Sequence, residues 1–370
     1  MALNCGILGL PNVGKSTLFN ALTQAGANVA NYPFCTVEPN VGIVQVPDPR
    51  LQALAAIYHP KKITATSIEF VDIAGLVKGA SQGEGLGNQF LGHVRAVDSL
   101  VHVVRCFDDP EIVHVNGEVD PKRDIEIIET EVILKDLDTV EKRISRVEKK
   151  AHSGDPVAKA EWAWLASFRD ALMGGLPARR FLRQIPETAP PELSALLSEL
   201  GLLSAKAVLY VANVPEGDVL KGNVYSDRVF EIARAQGEEA VLISGKIESE
   251  IAALSGADAE LFLRELGLSE SGLSRLIQGV YRLLKLRTFF TAGEDEVRAW
   301  TIEAGTHAVS AAGKIHSDIA RGFIRAEVMR YEDLVALGGA GPVREKGLLS
   351  LEGKDYPLKD GDVVYFRFNV

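Results

Sequence analysis

Gly9-Leu10-Pro11-Asn12-Val13-Gly14-Lys15-Ser16-Thr17 has the spacing G-x-x-x-x-G-K-[ST], with an apolar run before it and a helical pattern after it. That context suits a loop that cradles phosphates. Its glycines let backbone N–H groups curl around an anion, and the N-terminus of the following helix favours negative charge. Lys15 would reach the β- and γ-phosphates of a nucleotide, and the Ser16 hydroxyl would ligate Mg2+. Downstream, Asp72-Ile73-Ala74-Gly75 follows a second apolar stretch. An Asp at such a strand end can hold a magnesium-bound water, and the Gly75 N–H can contact the γ-phosphate. Between the two motifs several threonines (Thr23, Thr36, Thr64, Thr66) could supply a second metal ligand. Thr36, in Asn31-Tyr32-Pro33-Phe34-Cys35-Thr36, is the candidate placed in a first switch loop. Glycines at 75, 79, 83, 85 and 87 make the next stretch entropically costly to order. Such a segment suits a switch that orders on γ-phosphate contact and relaxes after hydrolysis.

The base-reading position is informative. A guanine-specific protein of this layout would carry Asn-Lys-x-Asp after a late strand, where the Asp accepts from guanine N1–H and the 2-amino group. Here the residues are Asn213-Val214-Pro215-Glu216. The Lys is absent and the acid is one methylene longer, so the paired contact is lost and guanine discrimination with it. Adenine offers a 6-amino donor that Asn213 or a backbone carbonyl could accept. Ser244-Gly245-Lys246 follows the last strand of this half and matches the place of a loop that backs the base. ATP is therefore expected to bind at least as well as GTP.

Catalysis is less legible. The position directly after D-x-x-G is Leu76, which cannot orient a water molecule. Charge stabilisation by the loop amides, Lys15 and Mg2+ would supply most of the rate. His114, in Glu111-Ile112-Val113-His114-Val115 after a strand, is the sharpest candidate to position water. The alternative is a surface or packing histidine. His93 and His102 read as structural.

The elements that must hold these residues alternate in type. Short apolar strands at 3–8, 41–46, 67–72, 100–106, 206–212 and 239–244, with helices between, imply a parallel sheet covered on both faces. Residues 123–150 contain no Gly or Pro, and Ile133, Leu137, Val140, Ile144 and Val147 are spaced 4, 3, 4, 3. That is a coiled-coil seam. Asp155-Pro156 starts a returning helix with Trp162, Leu165, Phe168 and Leu172 on one face. The fold class is therefore α/β, a parallel-sheet nucleotide domain (1–120 and 201–282) interrupted by an antiparallel helical arm (121–200). A small α+β domain (283–370) follows. Lys142, Arg143, Arg146, Lys149 and Lys150 near the arm tip could meet RNA phosphates, or form an ordinary solvated helix face.

Composition narrows the class. The chain has 370 residues with a formal net charge of −10, so it should not coat nucleic acid indiscriminately, and no DNA partner is expected. Its three cysteines lie far apart, which argues for a reducing compartment. No apolar run reaches membrane-spanning length, so a cytoplasmic location without membrane contact is expected.

These segments together resemble the Obg-like ATPases, the YchF branch of the P-loop GTPase superfamily. The resemblance is carried by GLPNVGKSTLFNALT from Gly9, NYPFCTVEPNVG from Asn31, DIAGLVKGASQGEGLGNQFL from Asp72, NVPE from Asn213 and SGKIESEI from Ser244. It extends over TFFTAGEDEVRAWTI and KDGDVVYFRFNV, similar to a TGS domain of β-grasp-like form. It implies that Asn12, Val13, Gly14, Lys15, Ser16 and Thr17 contact the phosphates, that Ser16 and Thr36 hold Mg2+, and that Asn213, Val214, Glu216 and Ser244 to Lys246 frame adenine. It also supports His114 as a catalytic group and a hydrophobic residue at 76. Whether Asn12 recruits K+ stays open. From the resemblance alone come a ribosome partner, met through the arm and the TGS domain, and a nucleotide switch acting in translation or stress. The competing function is a nucleotide-gated protein scaffold with incidental hydrolysis.

Overall fold

A computed structural model describes residues 4–27, 41–73, 92–114, 117–185 and 190–369. Thr36, Gly75, Leu76 and the glycine-rich stretch at 75–87 lie outside these residues. The chain forms two compact units, residues 1–44 with 69–276, and residues 45–68 with 277–370.

In the first unit a six-stranded sheet has the order β2-β4-β1-β5-β6-β7. Its strands are β1 (Asn4–Leu8), β2 (Val41–Gln45), β4 (Ser67–Asp72), β5 (Ser99–Arg105), β6 (Ala207–Asn213) and β7 (Glu239–Ile243). β1 runs parallel to β4 and β5, and β5, β6 and β7 follow in parallel. β5 and β6 are buried almost throughout, as expected for strands covered on both faces. This order brings the ends of β1, β4, β5 and β6 to one edge. The phosphate loop and the loop after Arg105 follow the ends of β1 and β5, while Asp72 and Asn213 are the last residues of β4 and β6. α1 (Lys15–Ala27) starts directly at the lysine of the motif.

The arm is two helices, α3 (Pro121–His152) and α4 (Pro156–Met173). Asp120 caps the first with N–H bonds from Lys122 and Arg123, and Asp155 caps the second with bonds from Val157 and Ala158. Proline at each first position adds a preset φ. The expected seam is the one observed. Ile133, Val140 and Val147 are buried against Leu165, Phe168 and Leu172, with Leu137, Ile144 and Trp162 at the margin. α6 (Pro191–Leu200) closes this core with Leu193, Leu196 and Leu200.

The second unit holds a mixed sheet in the order β11-β10-β12-β8-β9-β3. Its strands are β3 (Lys62–Thr64), β8 (Leu286–Ala292), β9 (Glu296–Glu303), β10 (Phe323–Arg330), β11 (Ser350–Glu352) and β12 (Asp362–Phe368). Ala308, Ala311 and Ala312 of the helix Ala308–Ile315 pack on Phe289, Val328, Val364 and Phe366, the helix-on-sheet arrangement of a β-grasp. That helix ends at His316, whose extended backbone starts a second short helix, Ser317–Arg321.

One boundary differs from the sequence reading. Residues 45–68 were expected inside the nucleotide domain but pack with 277–370. β3 adds to that sheet by pairing in parallel with β9, and Leu51 and Leu54 of α2 (Pro49–Tyr58) are buried against Phe290, Val297 and Val363. Arg50 joins Asp48 and Asp360 in ion pairs at 2.8 and 2.7 Å. Pairing across more than two hundred residues leaves no local pattern to read.

Candidate functional site

The loop between β1 and α1 is built on unusual backbone. Asn12 has φ +63° and Gly14 has φ +97°, both in the left-handed region. A Cβ on Gly14 would fall on Asn213 Nδ2, so this position accepts glycine alone. Lys15 is 8% exposed and folds back on the loop. Its Nζ donates to the carbonyls of Gly9 and Leu10 at 3.0 and 2.6 Å. Burial lowers its pKa to about 8, against the opposing attraction of Asp72. Asp72, half-buried at the end of β4, is pushed above the ordinary carboxylate range by desolvation, with Lys15 working the other way. Ser16 and Thr17 stand exposed on the first turn of α1. The loop thus gathers a buried ammonium, an exposed hydroxyl and a carboxylate around the start of a helix.

The base-side residues form two layers. Asn213 is buried and uses both ends of its amide: Nδ2 donates to the Val13 carbonyl and Oδ1 accepts from the Gly245 N–H, each at 2.9 Å. It therefore ties the phosphate loop to α8 (Gly245–Ala253), which begins at Gly245. The sequence reading offered Asn213 or a backbone carbonyl as the acceptor for adenine; here the Asn213 amide braces the phosphate loop against α8. Val214 is also buried, and its N–H donates to the Ile243 carbonyl at 2.8 Å. Glu216 is exposed and forms an ion pair with Lys246 at 2.6 Å. Ser244 is fully buried, with no hydrogen-bond partner for its hydroxyl among the described residues.

The loop after β5 is fixed from three sides. Arg105, 2% exposed, donates to the carbonyls of Phe107, Asp109 and Ile112, and its guanidinium lies over the Phe107 ring. Asn12 Nδ2 donates to the Val113 carbonyl at 3.0 Å, joining this loop to the phosphate loop. Next in sequence, His114 is buried with its Nε2 hydrogen-bonded at 2.9 Å to Asp124 in the first turn of α3. The histidine expected to face a reacting water is instead packed against the root of the arm. Arg105 and Asp124 were both missed by sequence reasoning. Arg105 left a trace, a cation ending the apolar run Leu100–Val104, which signals buried hydrogen bonding. His102 is fully buried beside Tyr210, as expected of a structural histidine.

Comparison with known proteins agrees with this construction. Residues 4–149 match the family described as a 50S ribosome-binding GTPase, and residues 286–369 match the YchF-GTPase C-terminal family, described as a protein of unknown function (DUF933). Over its full length the chain is 55% identical to the ribosome-binding ATPase YchF of Bacillus subtilis, with all of both chains covered. The chain belongs to the YchF family. The YchF of Escherichia coli O157:H7 is 51% identical, again over the full length of both. A solved structure, the Schizosaccharomyces pombe YchF GTPase, superposes with a TM-score of 0.87 at 37% identity and covers 99% of this chain and 97% of that one. As a YchF-family protein, the chain is a P-loop nucleoside triphosphatase.

Proposed function

We propose that this YchF-family protein is a magnesium-dependent ATPase that accepts ATP at least as well as GTP and acts as a nucleotide switch on the ribosome. The observation carrying the base preference is the Glu216–Lys246 ion pair. A carboxylate engaged by a lysine is a poor acceptor for the two N–H donors of guanine, and Val214 stands where a guanine reader would carry lysine. The names of the two bacterial relatives, ribosome-binding ATPases, support the same reading. So does the family match at 4–149, described as ribosome-binding.

The residues present suit a nucleotide with Mg2+. Asp72 Oδ1 is a buried acceptor without a hydrogen-bond partner among the described residues, close enough to Lys15 to feel its charge. Ser16 presents its hydroxyl at the start of α1, and Thr36 is the proposed second ligand. When bound, Mg2+ would neutralise charge developing on the β- and γ-phosphates. Lys15 would leave its two carbonyl partners for the phosphates, while the loop amides from Asn12 to Thr17 and the N–H of Gly75 hold the oxygens. Ser244, Gly245 and Lys246 would back the purine. Potassium at Asn12 would sit beside a side chain already committed through its Nδ2 to Val113.

We infer that His114 acts in hydrolysis only after leaving Asp124, so intrinsic turnover is slow. A scaffold reading shares that slow turnover. ATP turnover measured with and without ribosomes separates them: stimulation supports the switch, and indifference supports the scaffold.

A further inference from the structure

The loop on the purine side, residues 214–222, joins β6 to the helix α7 (Val224–Gln236). Pro215, Glu216 and Gly217 stand exposed in it, and one turn of 3-10 helix covers Glu216–Asp218. Exposed residues gain little hold from packing. One side chain at the far end, Asn223, ties the loop across its width. Its Oδ1 accepts from the N–H groups of Tyr225 and Ser226 at 3.1 and 3.0 Å, which caps α7. Its Nδ2 donates to the Asp218 carboxylate at 2.7 Å and to the Cys106 carbonyl at 2.9 Å. A side-chain amide has two N–H donors and one oxygen, and only this orientation serves all four partners.

The two donors do different work. Asp218 ends the turn that begins at Glu216, so its bond to Asn223 fixes that turn. Cys106 follows β5, and its own N–H donates to the Asn213 carbonyl at 2.8 Å. Its carbonyl therefore anchors the loop to the strand ends. A second tie runs alongside, where the Tyr225 hydroxyl donates to Asp108 at 2.7 Å. Gly222 has φ +73°, and a Cβ there would lie 2.5 Å from the Ser226 Oγ, so the chain enters the cap through a turn that suits glycine. The phosphate loop is braced separately, by Asn213 through Val13 and Gly245.

We propose that Asn223 is a positioning residue for the purine. It holds the turn carrying Glu216 beside Lys246, and so sets how firmly the base is gripped. The proposal rests on the purine-site reading above and adds a residue that acts through Glu216 and its turn.

Asn223→Asp and Asn223→Ser each keep an oxygen able to cap α7, and each loses the Nδ2 donors. The serine variant places no charge beside Asp218, and it decides the matter if the aspartate variant melts early without nucleotide. The full-length proteins are titrated with fluorescent ATP and GTP at fixed Mg2+. Tripolyphosphate, which has no base, is then used as a competitor, and kcat and KM are measured with ATP. Asn369→Asp makes the same chemical change on an exposed residue of the other unit. ATP affinity is expected to fall about tenfold in both Asn223 variants, the scale of one or two lost hydrogen bonds. Competition by tripolyphosphate and kcat at saturating ATP should stay at the parent level, and Asn369→Asp should match the parent throughout. Parent-level ATP affinity in the serine variant overturns the proposal. Equal weakening of ATP and tripolyphosphate also overturns it, since the loss then lies in the phosphate loop, as does a lower kcat with KM unchanged. A parent that prefers GTP, and loses GTP affinity in both variants with tripolyphosphate unaffected, upholds Asn223 and contradicts the ATP reading.

Discussion

Lys15 is where the chemistry of the site is most exposed to measurement. Burial against Gly9 and Leu10 brings its pKa to about 8 when the loop holds no phosphate. A triphosphate supplies the negative charge that the buried ammonium lacks, so its pKa must rise on binding. Protons are therefore taken up when nucleotide binds above about pH 8, and affinity falls as pH climbs through that value. The fold responds with the opposite sign. Between about 8 and the ordinary lysine value the unfolded chain holds more protons than the folded one, so the contribution of Lys15 to nucleotide-free stability rises with pH. Calorimetry in buffers of different ionisation enthalpy should show proton uptake near pH 8.5, lost in Lys15→Arg. No uptake in the parent would mean that Lys15 is fully charged before nucleotide arrives. This lysine was legible in the sequence because the motif is local and its glycine spacing leaves few other uses. The double role of Asn213 was not, since its partners lie 200 and 32 residues away.

Among the elements, the loop after β5 and the arm helix α3 share one buried pair, His114 and Asp124. The same loop touches the phosphate loop through Asn12. The arm root is therefore joined to the phosphate loop through one short stretch of chain, Val113–His114. Asp124→Asn keeps the shape but weakens the hold on the imidazole, and is expected to raise ribosome-free turnover severalfold with ATP affinity unchanged. His114→Ala should lower kcat with the same unchanged affinity. Turnover unaffected in both variants would remove His114 from hydrolysis. The arm itself rests on its seam. Leu165→Ala removes a fully buried side chain from that core and should cost about 2–5 kcal/mol in denaturant unfolding. The seam was readable because its 4, 3 spacing is written within one helix. The His114–Asp124 pair was not, because ten residues of separation place neither side chain in a buried site.

At the scale of the whole molecule, sequence periodicity identified a parallel-sheet domain, an inserted arm and a C-terminal α+β unit. It misassigned residues 45–68, whose partners are strands and helices more than two hundred residues later. The two units differ in what their order tells. In the first, parallel strands set four loop ends on one edge, and the site is a consequence of that order. In the second, the sheet recruits β3 from the other half of the sequence, which commits the N-terminal segment to the fold of the C-terminal unit. The proposed ATP preference depends on a triphosphate cradle beside a purine pocket whose acid is engaged by Lys246. Titration of the purified protein with fluorescent ATP and GTP at fixed Mg2+ tests this most directly. ATP should bind at least as tightly as GTP. Failure to bind ATP, or a reproducible preference for GTP, which a paired polar reader carries to about 10^4–10^5-fold, would contradict it.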